Sequence, residues 1–142
     1  MFEIILLLTG TIAALSTFIA NNTLKLGAVK ASAGLSFIVA LLCLLFDDIF
    51  KEDLAMQIQL VFFGASFVGM VSKEIISKHY LVGLGGLVFS AIYLNTSYFF
   101  EGFGGALGTT ACISVIIVFG LRIILNKRKQ RLTSKATISY QS

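Results

Sequence analysis

Glycine and threonine, not titratable groups, carry the most suggestive chemistry in this chain. The runs Gly83-Leu84-Gly85-Gly86 and Gly102-Phe103-Gly104-Gly105 share one four-residue pattern, and each stands where an apolar stretch begins. The first turn of a helix has N–H groups without partners and about half a positive charge, and glycine lets a ligand approach that backbone closely. Two such helix starts could hold an anionic or neutral polar solute. Thr109 and Thr110 add hydroxyls one turn beyond the second run. Gly83, Gly85, Gly86, Gly102, Gly104, Gly105, Thr109 and Thr110 are therefore the candidate lining of a solute path, with the two runs opening from opposite faces.

The small residues also suit close packing. Lipid tails supply no hydrophobic drive between apolar helices, so such helices associate where small side chains let backbones touch. Gly64, Ser66, Gly69 and Gly108 are the candidate packing residues. Isolated glycines such as Gly10 and Gly120 are expected to matter less than Gly69 or Gly105. A second echo matches Gly34-Leu35-Ser36-Phe37 through Leu42 with Gly86-Leu87-Val88-Phe89 through Leu94. Read as ancestry, it is a parallel duplication of two helical hairpins that leaves a fifth helix unpaired.

Groups that exchange protons, attack or bind metals are few: seven acids, one histidine and two cysteines. Asp47, Asp48, Glu52 and Asp53 form the one carboxylate cluster. Their spacing matches no calcium loop, so an exposed turn is expected there. His79, between Lys78 and Tyr80, is expected at an interface and solvated. Cys43 and Cys112 have no partners spaced for zinc, and are expected as small packing residues with a disulfide as the alternative. No nucleophile, acid and base converge, so no enzyme activity, metal or cofactor is expected.

The phrase from Gly102 through Gly108 to Thr109-Thr110 resembles the threonine-bearing helix break of small fluoride channels. An extra residue precedes the threonines and the phenylalanine-serine continuation is missing. Nothing of that family is carried onto these positions.

The elements that must position these residues follow from composition. Of 142 residues, 57% are hydrophobic and 13% charged, whereas a soluble domain is about 25% charged. Five apolar runs, 2–20, 26–46, 54–71, 80–100 and 103–125, are each long enough for a hydrocarbon core about 30 Å thick. Runs such as Ile4-Ile5-Leu6-Leu7-Leu8 are apolar on every face, which suits helices and not the alternating strands of a barrel. No Lys or Arg precedes the first run, so a retained span is expected there rather than a cleaved signal.

In a five-span chain, Lys25, Lys30, Lys73, Lys78 and the tail bases Lys127, Arg128, Lys129, Arg131 and Lys135 share one side. Glu3, the 47–53 loop and Glu101 share the other. The positive-inside rule then puts the N-terminus outside and the C-terminus in the cytoplasm. The expected fold is an all-α membrane protein, a polytopic bundle of about five transmembrane helices over residues 1–125. A basic cytoplasmic tail, 126–142, is expected to be disordered and drawn to anionic lipid rather than to nucleic acid. Arg122, about 4.5 Å of helix rise from the end of the last span, is expected to snorkel to the cytoplasmic headgroups.

No span holds a midplane Asp, Glu or His for a proton relay. The expected role is a transport or channel unit for a small anionic or neutral polar solute, not proton-coupled. The alternative is a structural or accessory subunit of a membrane complex. A homo-oligomer or partner membrane subunit is expected in either case, in the plasma (inner) membrane. A polar path through Ser66, Ser72, Ser90, Thr109 and Thr110 would mark the first role, and the same hydroxyls bonded to backbone or buried against a neighbour the second.

Overall fold

A computed structural model describes residues 2–45, 52–76, 78–96 and 104–139. Among the described residues all regular structure is helical, in five elements: α1 (Phe2–Asn22), α2 (Ala28–Leu45), α3 (Glu52–Gly69), α4 (His79–Thr96) and α5 (Gly104–Ser139). Three stretches, Glu3–Asn22, Ala28–Leu45 and Gly105–Lys127, are long and apolar enough to cross a membrane. The 18 residues of α2 rise about 27 Å at 1.5 Å each. The apolar part of α3 is shorter, Leu54–Gly69, and α4 carries His79, Asn95 and Thr96 at its ends.

These two less apolar helices occupy the middle of the bundle, where protein surrounds them. Helices α1, α3 and α4 all touch one another; α2 lies against α1 and α3, and α5 against α3 and α4. Helices α2 and α5 do not meet among the described residues. Directions alternate along the chain. Gly10 and Ala14 of α1 face Gly86 of α4, with Phe18 edge-on to His79, so α1 and α4 are antiparallel. Asn21 reaches Met70 at the far end of α3, so α1 and α3 run parallel.

The interior is built from small residues and a few aromatics. Ala13, Ala14, Ala65, Thr17, Ser66 and Ser90 are fully buried, and Phe18 and Phe89 fill the spaces between them. The exterior is the reverse, with Ile12 of α1, Val29, Phe37 and Leu44 of α2, and Ile116 and Ile124 of α5 all exposed. A soluble fold keeps large apolar faces inside, and exposed ones of this extent mark contact with lipid or another protein.

The α1–α2 connection is short and ordered by the backbone. At the end of α1 the N–H groups of Thr23 and Leu24 donate to Ile19 O at 2.8 and 3.3 Å, and Leu26 N donates to Ala20 O at 3.4 Å. Lys25 adopts the left-handed conformation, φ 53°, that helix ends commonly use. Gly27, at φ 88°, makes the second bend, where a side chain would be strained, and its carbonyl accepts the Ala31 N–H to start α2. The bends at Lys25 and Gly27 start α2 at Ala28, past the boundary expected at 26.

Helix α5 also differs from its expected span. Its backbone stays helical from 126 to Ser139, the segment expected as a disordered tail. The 36 residues rise about 54 Å, far beyond a bilayer core. The echo between 34–42 and 86–94 is not matched in packing. Gly34 has open space around it and Phe37 is 70% exposed, whereas Gly86 is wedged against α1 and Phe89 is fully buried. The two segments share their in-register residues and a helical backbone, but not their surroundings.

Candidate functional site

The two glycine runs do not converge. Helix α4 begins at His79, so its unpaired N–H groups lie before Gly83, the Leu81 N–H already donates to Lys78 O at 3.1 Å, and the backbone of Gly83 is bonded within the helix. The expected helix opening at Gly83, Gly85 and Gly86 is corrected accordingly: these residues form the second turn. They are also filled from outside. A Cβ at Gly86 would fall against Gly10 O and 2.8 Å from Ala14 Cβ; at Gly85 it would be 2.8 Å from Val68 Cγ1; at Gly83 it would touch Leu15 at 3.4 Å. Nothing of a ligand's size fits on that face.

The second run is different. Gly102 lies outside the described residues, while Gly104 and Gly105 open α5, and a Cβ at Gly105 meets nothing within 4 Å. Gly85 faces Val118 of α5, and 13 residues separate Val118 from Gly105, about 20 Å along the helix. The runs are therefore held at well-separated heights. Thr109 Oγ1 and Thr110 Oγ1 both donate to Ala106 O, at 2.9 and 2.8 Å, with Thr109 exposed on the outer face and Thr110 buried.

The other hydroxyls of the candidate path are likewise engaged, whereas the buried Thr17 Oγ1 and Ser36 Oγ, off that path, have no hydrogen-bond partner among the described residues. Ser66 Oγ donates to Phe63 O at 2.6 Å, so the proton between Ser66 and Ser32 Oγ, also 2.6 Å apart, comes from Ser32. Ser90 Oγ donates to Gly86 O at 3.1 Å, and Ser72 Oγ accepts from Glu74 N at 3.2 Å. No continuous polar line joins Ser66, Ser72, Ser90, Thr109 and Thr110.

Among the candidate packing residues, Gly64 stands against the Phe89 ring, and Gly69 against Ala14 O with Thr17 Cβ 2.7 Å from its would-be Cβ. Ser66 is buried between α2 and α3. Gly108 has open space around it. Gly10, expected to tolerate substitution, is instead among the tightest positions, against Ser90 Oγ with Gly86 O at 3.0 Å from a Cβ there. Cys43 is buried in α2 and Cys112 exposed on α5, both free, so the disulfide alternative does not hold.

The best-defined polar cluster was not foreseen from the sequence. Asn21 Nδ2 donates to Met70 O at 3.2 Å, and Asn22 Nδ2 donates to Val71 O at 3.1 Å. Asn22 Oδ1 accepts the Lys73 N–H at 3.1 Å. Within the α3–α4 connection, the Ile75 and Ile76 N–H groups donate to Ser72 O at 3.0 Å, and Ile76 is buried. From α5, Arg122 Nη1 donates to Ile75 O. Where the sequence led to an expectation of lipid headgroups, this guanidinium meets a protein carbonyl. Two adjacent asparagines closing an apolar run, and one arginine inside another, were the available signals.

This clasp stands at the end of the bundle that carries the bases. Lys25, Lys30, Lys73, Lys78, Arg122 and Lys127 are there, with Glu74 the one described acid among them; Glu3, Glu52 and Asp53 are at the other end. Asp47, Asp48, Lys51 and Glu101 lie outside the described residues. Lys78 Nζ sits 5.6 Å over the Tyr80 ring. Among the described residues no three of His, Cys, Asp and Glu are grouped to hold a metal. No family model matches the chain, and no curated protein and no solved structure is similar to it.

Proposed function

We propose that the chain is an integral membrane protein that acts as a structural or accessory subunit, joining a membrane complex through its outer helix faces. The observation that carries this reading is the state of the hydroxyls: Ser66, Ser72, Ser90, Thr109 and Thr110 are each bonded to the chain's own backbone or to a neighbouring serine. A hydroxyl bonded in this way offers a solute less than a free one, since Ser66, Ser90, Thr109 and Thr110 keep only their lone pairs. The exposed apolar faces of α2 and α5 support placement in lipid beside a partner. The segregation of bases supports a cytoplasmic position for the α1–α2 and α3–α4 connections in a plasma (inner) membrane.

A second reading, a transport unit for a small anionic or neutral polar solute, is favoured by one feature. Gly105 and Thr109 face outward on α5 with room around them, which puts any path between copies of the chain rather than inside one. Native mass spectrometry of the purified protein separates the two readings. Co-purifying membrane proteins with a monomer support the accessory role, and a homo-oligomer supports a pore. In proteoliposomes, flux of a small anion that falls when Thr109 and Thr110 are both changed to valine would overturn the accessory reading. Orientation is read with single cysteines in a cysteine-free background. One at Glu3 should react with an impermeant thiol reagent from outside, and one at Lys73 should not.

A further inference from the structure

The end of the bundle held by the asparagine clasp presents bases that no acid of the described residues pairs with. Among the described residues none of Lys25, Lys30, Lys73 and Lys78 forms an ion pair, and all four are exposed. They come from two connections that the fold ties together, since the Lys73 N–H is bonded to Asn22 Oδ1, three residues before Lys25. The tie is rigid on both flanks. Asn21 and Asn22 fix residues 70–73 from α1, Arg122 fixes Ile75 from α5, and buried Ile76 pins the connection to the core. Lys30 sits in the first turn of α2, where the helix dipole disfavours a cation by about 0.3–1 kcal/mol, and no acid stands in that turn. Tyr80, 61% exposed beneath Lys78, has the amphipathic ring that settles at headgroup depth.

We propose that the α1–α2 and α3–α4 connections together form a seat for anionic phospholipid headgroups, with Lys25, Lys30, Lys73 and Lys78 facing the phosphates and Tyr80 at the acyl boundary. Each base near a charged leaflet adds to the attraction. A seat of four gathered on fixed backbone favours an anionic over a zwitterionic headgroup without any flexible tail. This inference rests on the membrane placement proposed above.

The test uses the full chain in mild detergent, with thermal unfolding followed by circular dichroism as phosphatidylglycerol, phosphatidylcholine or inorganic phosphate is added. At ten times its dissociation constant a ligand binding only the folded state should raise the midpoint by about 5 °C. Phosphatidylglycerol is expected to do so, and phosphatidylcholine and inorganic phosphate are not; the shift should shrink severalfold in 0.5 M salt. Changing Lys25, Lys30, Lys73 and Lys78 to glutamine should remove most of the shift, while changing Lys127, Arg128, Lys129, Arg131 and Lys135 to glutamine should leave it. If the fourfold variant does not fold, the Lys73→Gln, Lys78→Gln pair is expected to lose about half. Equal shifts with both lipids, an equal shift with phosphate, or a shift abolished only by the tail variant would each overturn the proposal. Flotation with phosphatidylcholine vesicles reads the membrane placement separately: a protein that stays in the aqueous phase would defeat that placement, whatever the lipid shifts.

Discussion

Replacing Gly86 by alanine should destabilise the bundle, against the normal effect of that change in a helix. Alanine is the better helix former by about 1 kcal/mol, so an open glycine gains from it. At Gly86 the new methyl meets Gly10 O, Gly10 C at 3.0 Å and Ala14 Cβ at 2.8 Å. The first two are backbone atoms and no side-chain rotation clears them. Helix α1 must therefore move away from α4 by roughly 1 Å, loosening contacts along the interface. Overpacking costs about 1–3 kcal/mol, and a backbone obstacle belongs at the upper end. Subtracting the propensity gain leaves a net loss of about 2 kcal/mol. At this chain length that lowers the unfolding midpoint by roughly 8 °C. The control is Gly108→Ala in α5, where nothing lies within 4 Å of the new methyl and the midpoint should rise by about 4 °C. Circular dichroism melts in one detergent give both numbers. A Gly86→Ala midpoint at or above that of the unaltered protein, with Gly108→Ala raised as expected, would refute the backbone contact between α1 and α4.

Ser66→Ala should destabilise more than Ser32→Ala, because it leaves the buried Ser32 hydroxyl without its acceptor. The first is expected to cost about 1–3 kcal/mol and the second about 0.6, measured by the same melts. Asn22→Leu removes the bonds to Val71 O and Lys73 N, and Arg122→Gln the bond to Ile75 O. Each should speed hydrogen exchange over residues 71–76 severalfold and leave the middle of α1 protected; unchanged exchange would deny the clasp. Cys112, exposed, should react with a lipid-soluble maleimide in the folded protein, while buried Cys43 should react only on unfolding.

Number, type and order of the helices were legible in the sequence, because long runs apolar on every face suit helices and not alternating strands. The gathering of Lys25, Lys30, Lys73 and Lys78 at one end was legible too, since α1 and α2, and α3 and α4, run in opposite directions. Which face each helix turns inward was not. In α4 neither the apolar nor the polar side chains mark a stripe, so Gly83, Gly85 and Gly86 read equally well as a ligand cradle or a packing surface. The outcome depended on residues far away in the chain: Gly10 and Ala14 for Gly86, Val68 for Gly85, Leu15 for Gly83. The same absence of a stripe hid Gly10, an isolated glycine that proved to be at a backbone crossing, and overstated Gly105, one of a bunched set that faces open space. The clasp of Asn21, Asn22 and Arg122 was beyond local reading for a related cause. Its acceptors are main-chain carbonyls of Met70, Val71 and Ile75, groups that every residue possesses, and only the assembled bundle decides which of them come within reach.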